Sequence, residues 1–117
     1  MLRSNAGVPG SYMQQVGDIH LARQWKQVDL PVLVIYGSCD PVTSASESRY
    51  LVDMINSFHE GRATYVEVPR MGHDFGVYDE PADFLKRTRT KEPHPFNDQV
   101  LPVLLTWLRQ HQQQPVA

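Results

Sequence analysis

Two titratable residues stand in short loops that each follow an apolar segment. Asp40 lies in the segment GSCDPVT, and His73 lies in the segment PRMGHDF. A carboxylate that accepts a hydrogen bond from the Nδ1–H group of an imidazole fixes the tautomer of that ring, and this pair is the orienting half of a Ser-His-Asp triad. The two residue types therefore indicate general acid–base chemistry, provided that the fold brings the two loops together.

Each of these residues also has an ordinary structural explanation. An aspartate before a proline is typical of a turn, because its carboxylate accepts hydrogen bonds from the backbone that follows it. A single loop histidine such as His73 is likewise more often structural than catalytic. Asp74 is a second carboxylate that could pair with His73, but adjacent side chains usually diverge, so it ranks behind Asp40.

The segments that would position both loops read as a strand, a helix and a second strand. VLVIYG is too short for a helix and rich in β-branched residues, and ATYVEV alternates like a strand before Pro69. Between them, Ser44 and Glu47 form a capping box for a helix that Gly61 ends as its C′ residue, the one after the C-cap. The apolar face of this helix holds Tyr50 or Leu51, Met54, Ile55 and Phe58.

A strand, helix and strand in this order form a βαβ unit, in which the two strands are parallel neighbours. In a parallel sheet the functional groups gather at the carboxyl ends of the strands, so Asp40 and His73 are expected side by side. The predicted fold class is therefore α/β, with a βαβ unit of two parallel strands flanked by about three helices.

The flanking segments complete one predicted domain, residues 11–112. Residues 1–10 contain glycines and a proline without periodicity and are expected to be flexible, and residues 113–117 are expected to fray. Helical spacing from Ser11 to Val28 predicts one helix or two short ones, and a short helix is expected over Ala82–Arg89. Asn97 or Asp98 is expected to cap a final helix with apolar positions at Val100, Leu101, Leu104, Leu105 and Leu108.

Composition argues against several classes of partner. The chain has 117 residues, 41% hydrophobic and 21% charged, and a formal net charge of −2 without a basic stripe, so nucleic acid is not expected. The longest apolar run, Pro31–Tyr36, is too short to cross a bilayer, and residues 1–10 lack the apolar core of a signal peptide, which suggests a cytoplasmic protein by default. Cys39 is the single cysteine, and the five histidines lack ligand spacing, so neither a metal nor a cofactor is expected.

Taken in order, these segments resemble a known family. PVLVIYGSCDPVT followed by ATYVEVPRMGHDF is similar to the last two strands of the α/β-hydrolases, and the stretch from Tyr12 to Trp25 is similar to a helix of serine esterases and prolyl-oligopeptidase-like enzymes. The resemblance implies a partial α/β-hydrolase fold in which Asp40 is the triad acid and His73 is the general base. It also implies that the complete enzyme acts on a small ester or a peptide.

The nucleophile of that family is not recognisable in this sequence. The family places its serine in a G-x-S-x-G elbow upstream of the acid, and no such motif precedes Asp40. GSCDP, residues 37–41, has the outline of an elbow built on Cys39, but proline replaces the last glycine and favours an extended conformation at Asp40, so a cysteine nucleophile is not favoured.

We therefore expect a C-terminal fragment of a serine hydrolase, left by truncation of the gene or of the expressed chain and inactive alone. A second hypothesis is a non-catalytic binding or assembly module whose exposed sheet edge pairs with a second copy or with a complementary chain. A third is complementation, in which another chain supplies the serine.

Overall fold

Six elements follow one another in residues 20–112, the part of the chain that the computed structural model describes. They are α1 (Leu21–Gln27), β1 (Val32–Gly37), α2 (Ala45–Phe58), β2 (Ala63–Val68), α3 (Pro81–Thr90) and α4 (Val100–Gln112). The α/β class and the βαβ unit are confirmed, with four helices in the described residues where about three were expected. The helix predicted within residues 11–28 is present at Leu21–Gln27, and its part before residue 20 lies outside the described residues, as do the expectations for residues 1–10 and 113–117.

The two strands are parallel neighbours, as the sequence predicts. Their register runs from Val32 opposite Ala63 to Gly37 opposite Val68. Because side chains alternate along a strand, the sheet presents one set of residues to each face. Both strands end at the same edge, and the loops that carry Asp40 and His73 leave from that edge.

One face of the sheet is covered by α2, with α1 beside it. Val52 and Ile55 of α2 are buried against Ala63, and Leu51 and Trp25 pack against the same cluster. Leu51 thus belongs to the packed face of α2, whereas the neighbouring tyrosine is 70% exposed. Burial of this face joins the helix to the strands on either side of it in the chain.

Of the two predicted ends of α2, the structure has the first as predicted but not the second. The Ser44 hydroxyl accepts a hydrogen bond from the N–H group of Glu47 at 3.1 Å, which is one half of a capping box. At the other end the prediction for Gly61 is wrong: the helix ends at Phe58, and Gly61, with a φ of 76°, lies in the turn into β2. The C-cap is His59, so Gly61 lies one residue beyond the C′ position, where the turn into β2 requires the left-handed conformation.

The first turns of α4 pack against the other face of the sheet. Val100 is buried with Val68 and Met71, and Ile35 and Val103 pack against this cluster. The leucines predicted as apolar positions of this helix lie outside the cluster and are between 36% and 49% exposed: Leu101, Leu104, Leu105 and Leu108. Because the valine positions also repeat at helical spacing, two faces of α4 are apolar, and packing selects one of them.

The short helix α3 lies next to the loop that follows β2. Phe84 of α3 packs edge-on against Tyr78 with ring centroids 5.2 Å apart, and both side chains are buried. Pro81 is at the start of the helix, where its missing N–H group costs nothing. None of the helices within residues 20–112 is long and apolar enough to cross a membrane.

Candidate active site

Asp40 is fixed by hydrogen bonds from its own loop. Its Oδ1 atom accepts from the N–H group of Val42 at 2.7 Å and from that of Thr43 at 3.3 Å, and the Thr43 hydroxyl donates to Oδ2 at 2.9 Å. The hydroxyl of Tyr36 donates to the Asp40 carbonyl at 2.8 Å. These are the bonds of an aspartate turn, and they leave a lone pair of Oδ2 for one further donor.

The loop that follows β2 lies directly against the loop that follows β1. The N–H group of Cys39 donates to the Met71 carbonyl at 2.9 Å, which joins the two loops at the strand ends. Gly37 is required at this contact, because a Cβ atom there would lie 2.2 Å from the Met71 carbonyl oxygen. The close approach of the two backbones brings His73 to Asp40.

His73 and Asp40 are hydrogen-bonded to each other. Nδ1 of His73 lies 3.0 Å from Oδ2 of Asp40, and the carboxylate is 8% exposed whereas the imidazole is 52% exposed. An ionised carboxylate can only accept, so Nδ1 carries the proton and Nε2 is left free to act as a base. Within residues 20–112, no hydrogen bond involves Nε2. This is the orientation that a triad acid and a general base require.

The electrostatic environment favours an ionised Asp40. Burial by itself raises the pKa of this carboxyl, but hydrogen bonds from His73, Val42 and Thr43 outweigh burial and hold the pKa below its ordinary value. At neutral pH the carboxylate is therefore charged. A charged, oriented carboxylate can stabilise an imidazolium on the neighbouring ring.

An open cleft of about 400 Å³ lies beside the Asp40–His73 pair. Its walls are mostly apolar and include Leu51, Met71 and Phe75. Its volume is within the range of sites that hold small molecules, and Asp40 and His73 are among the residues that line it. The cleft gives a small substrate a place to lie next to His73.

No side chain of the cleft is placed as a nucleophile for His73. The hydroxyls that line the cleft belong to Thr43 and Ser48, and they donate to the Asp40 carboxylate and to the Ser44 carbonyl. Both hydroxyls are therefore engaged away from Nε2. In the described part of the chain, no group of three or more His, Cys, Asp and Glu side chains could hold a metal ion.

Cys39 faces away from the cleft and into a buried cluster. It is 4% exposed, it clusters with Tyr78 and Phe84, and its Sγ atom donates to the Tyr78 carbonyl at 3.6 Å. Burial raises the pKa of the thiol, so the thiolate that a nucleophile requires is disfavoured. These contacts give no support to a cysteine nucleophile.

Asp74 does not compete with Asp40 for His73. Its Oδ2 atom accepts from the Tyr78 hydroxyl at 2.8 Å and lies 2.8 Å from Nε2 of His94. The sequence did not single out Tyr78 or His94, because they bound a polar stretch without periodicity. Their contact joins segments that are distant along the chain, and no local pattern marks such a contact.

Comparisons with other proteins add nothing to this geometry. Comparison of the chain with protein family models, with curated proteins and with solved structures found no match. The positions of Asp40 and His73, the cleft beside them and the order of the sequence motifs are the features that bear on function.

Proposed function

We propose that this chain is the C-terminal part of a serine hydrolase that cleaves ester or peptide bonds. In this proposal Asp40 is the triad acid and His73 is the general base. The observation that supports it best is the 3.0 Å contact between Nδ1 of His73 and a buried Asp40 carboxylate, with Nε2 left free beside a cleft. An Asp–His pair with a purely structural role does not require the second imidazole nitrogen to be free and accessible.

The two residues have distinct parts in the reaction. Nε2 of His73 takes the proton of a serine hydroxyl as the serine oxygen attacks the carbonyl carbon of the substrate, and it later gives that proton to the leaving alcohol or amine. Asp40 keeps the proton of His73 on Nδ1 and stabilises the imidazolium between the two steps. Its own turn bonds hold the carboxylate in place without help from the substrate.

In this proposal the serine comes from outside the described residues. The sequence has no G-x-S-x-G motif, and the hydroxyls of Thr43 and Ser48 are engaged elsewhere. Without the nucleophile the covalent route is absent, so this chain alone is expected to be inactive. Ser4 and Ser11 are not in such a motif either, so the serine in this proposal belongs to another part of a longer polypeptide or to a second chain.

The test uses the polypeptide translated from the complete reading frame that contains this sequence. We expect a fluorophosphonate probe to label one serine of that polypeptide, because the probe reacts with serines that a general base activates. His73→Ala should abolish the labelling, and Asp40→Asn should slow it strongly. His111→Ala is the matched control, because His111 bonds the Trp107 carbonyl within α4 and should leave labelling unchanged.

Two results would contradict the proposal. One is labelling of the complete polypeptide that is the same in the wild type and in His73→Ala. The other is hydrolysis of a p-nitrophenyl ester by the isolated chain that both His73→Ala and Cys39→Ala abolish, since this would identify Cys39 as the nucleophile. Hydrolysis must be compared with His20→Ala, because an exposed imidazole cleaves activated esters slowly by itself.

The free sheet edges favour a second candidate function, assembly of this chain with a second copy. Within residues 20–112 the sheet has two strands, so β1 has one edge without a partner strand. The N–H groups of Val32 and Ser38 bond towards β2, so those of Leu33 and Ile35 point to the free edge. Pairing of two β1 edges would satisfy these groups.

The mass of the isolated chain in solution tests this candidate. A dimer in which the Leu33 and Ile35 amides are protected from hydrogen exchange would support assembly through β1. A monomer in which both amides exchange rapidly would exclude it. Neither result bears on the labelling of the complete polypeptide, so the two candidate functions are tested separately.

A further inference from the structure

We propose that Asp74, Tyr78 and His94 form a brace that positions His73 and keeps it paired with Asp40. The three residues are hereafter called the brace. This inference rests on the proposed function for the importance of His73, but it concerns side chains that neither the proposed mechanism nor the sequence motifs use. Asp74 is the residue directly after His73, so its position determines how the His73 backbone is oriented.

The donors around the Asp74 carboxylate occupy it, so that it does not bond to His73. Oδ1 accepts from the N–H group of Gly76 at 2.9 Å, and Oδ2 accepts from the Tyr78 hydroxyl at 2.8 Å. Nε2 of His94 lies a further 2.8 Å from Oδ2. With these donors in place, Asp74 does not accept a hydrogen bond from the imidazole of His73, and Asp40 remains the acceptor for His73.

The contacts of His94 favour one of the two neutral tautomers of its ring. Its Nδ1 atom is buried and has no hydrogen-bond partner in the described residues. A buried, unpaired N–H donor is costly, so the favoured tautomer carries its proton on Nε2, where Asp74 accepts it. His94 is therefore a fixed donor to Asp74, and the Tyr78 ring lies against it with centroids 5.0 Å apart.

The loop that carries His73 needs such support. Phe75 has a φ of 66°, a left-handed conformation that is unfavourable for a residue with a side chain. The neighbouring Gly76 is in direct contact with the brace, because a Cβ atom there would lie 2.1 Å from the His94 ring. The carbonyl of Phe75 also accepts from the N–H group of Asn97 at 2.8 Å. The loop is thus held from the segment that contains His94.

Nuclear magnetic resonance of the ¹⁵N-labelled chain tests the brace without any need for activity. In the wild type we expect His73 to show a strongly deshielded Nδ1–H proton that exchanges slowly with water, and His94 to show the Nε2–H tautomer. His94→Ala removes the donor to Asp74, and we expect it to cause loss of the deshielded His73 signal. His94→Gln keeps an N–H donor near the position of Nε2 and should retain that signal.

The pair of His94 variants separates positioning from folding. A general loss of packing would affect both variants, whereas rescue by glutamine requires the specific bond to Asp74. If His94→Ala does not fold, Tyr78→Phe provides the test, because it removes one donor to Asp74 and keeps the ring. We expect Tyr78→Phe to increase the exchange rate of the His73 proton. His111→Ala is the control and should leave that proton unchanged.

Several results would overturn the brace. These are a His73 signal that persists in His94→Ala, loss of the signal in His94→Gln to the same extent as in His94→Ala, and an unchanged exchange rate in Tyr78→Phe. A wild-type chain without the deshielded His73 proton would overturn both the Asp40–His73 pair and its positioning by the brace. If the proton behaves as expected but the complete polypeptide does not react with the fluorophosphonate, only the proposed hydrolase function fails.

Discussion

Two Asp–His pairs lie close together in this chain, and they differ in what surrounds them. The N–O distance is 3.0 Å between His73 and Asp40 and 2.8 Å between His94 and Asp74. In the first pair the carboxylate is 8% exposed and the imidazole 52% exposed, whereas in the second pair the imidazole is only 28% exposed. The distance within a pair therefore does not distinguish the two.

The two pairs differ in the surroundings of the second nitrogen of each imidazole. Nε2 of His73 is free beside a cleft, whereas Nδ1 of His94 is buried without a partner in the described residues. A general base must reach the proton that it removes, so a buried second nitrogen cannot serve. An Asp–His contact becomes a candidate site only when the other nitrogen of its imidazole is accessible.

The largest effect is expected from Asp40→Ala, which breaks the first pair. The substitution leaves His73 and two backbone N–H groups without their acceptor, so the free energy of unfolding should fall by about 2–3 kcal/mol, measured by urea denaturation. Asp79→Ala is the control: its carboxylate is 77% exposed and pairs with Arg70 on the surface, so the loss should stay below about 1 kcal/mol. Equal losses would show that burial does not determine how much the hydrogen bonds of Asp40 stabilise the fold.

The charge of Asp40 is tested separately by Asp40→Asn. Burial raises the pKa of Asp40, but its hydrogen bonds outweigh burial and bring the pKa below the ordinary value of 3.8. A carboxyl with a lowered folded pKa stabilises the fold above its unfolded pKa, and this contribution is lost as the pH falls through the folded pKa. We expect the variant to be less stable than the wild type by about 1–2 kcal/mol at pH ~5, and the difference to shrink at pH ~3.

The pH dependence is measured by urea denaturation of both proteins at the two pH values. Asp79→Asn is the matched control, because its exposed surface pair should give a small difference at either pH. A difference between wild type and Asp40→Asn that increases on acidification would contradict the lowered pKa.

Several features of the fold could be predicted from the sequence because they are encoded locally. The β-branched run before Gly37 and the alternation before Pro69 identified both strands, and a helix between them required parallel pairing. Parallel strands bring their following loops to one edge, so the proximity of Asp40 and His73 could be inferred without coordinates. The role of these residues in catalysis stays a prediction.

Features that depend on packing between distant segments could not be predicted. Both the leucine face and the valine face of α4 have helical spacing, so periodicity did not show that Val100 and Val103 face the sheet. The contact of Asp74 with His94 joins the loop after β2 to the segment after α3, and neither segment has a pattern that requires it. Such contacts follow from the three-dimensional arrangement of loops.

The accessibility of the two imidazoles can be measured directly by chemical modification. Diethyl pyrocarbonate modifies free imidazole nitrogens, so we expect His73 to react on the order of tenfold faster than His94. Both nitrogens of His94 are buried or bonded, and a local opening that costs about 1.4 kcal/mol already slows a reaction tenfold. Peptide mapping by mass spectrometry at short times measures both rates.

The control for this experiment is the urea-unfolded chain, in which the two histidines should react at similar rates. Faster reaction of His94 than of His73 in the folded chain would reverse the assignment of the accessible pair. Asp40→Ala provides a further check, because His73 should stay reactive when its partner is removed.

The smallest effects are expected from the hydroxyl that supports each pair. Tyr78 is buried and donates to Asp74, so Tyr78→Phe should lower the free energy of unfolding by about 1 kcal/mol. Thr43 is exposed, so water can replace its hydroxyl as a donor to Asp40. Thr43→Val should therefore lower the free energy of unfolding by only about 0.5 kcal/mol. Urea denaturation measures both, and Tyr50→Phe, at a ring that is 70% exposed, is the control without an expected change. A larger loss in Thr43→Val than in Tyr78→Phe would show that the cleft pair, not the brace, is the more firmly held, and the roles assigned to the two pairs would have to be exchanged.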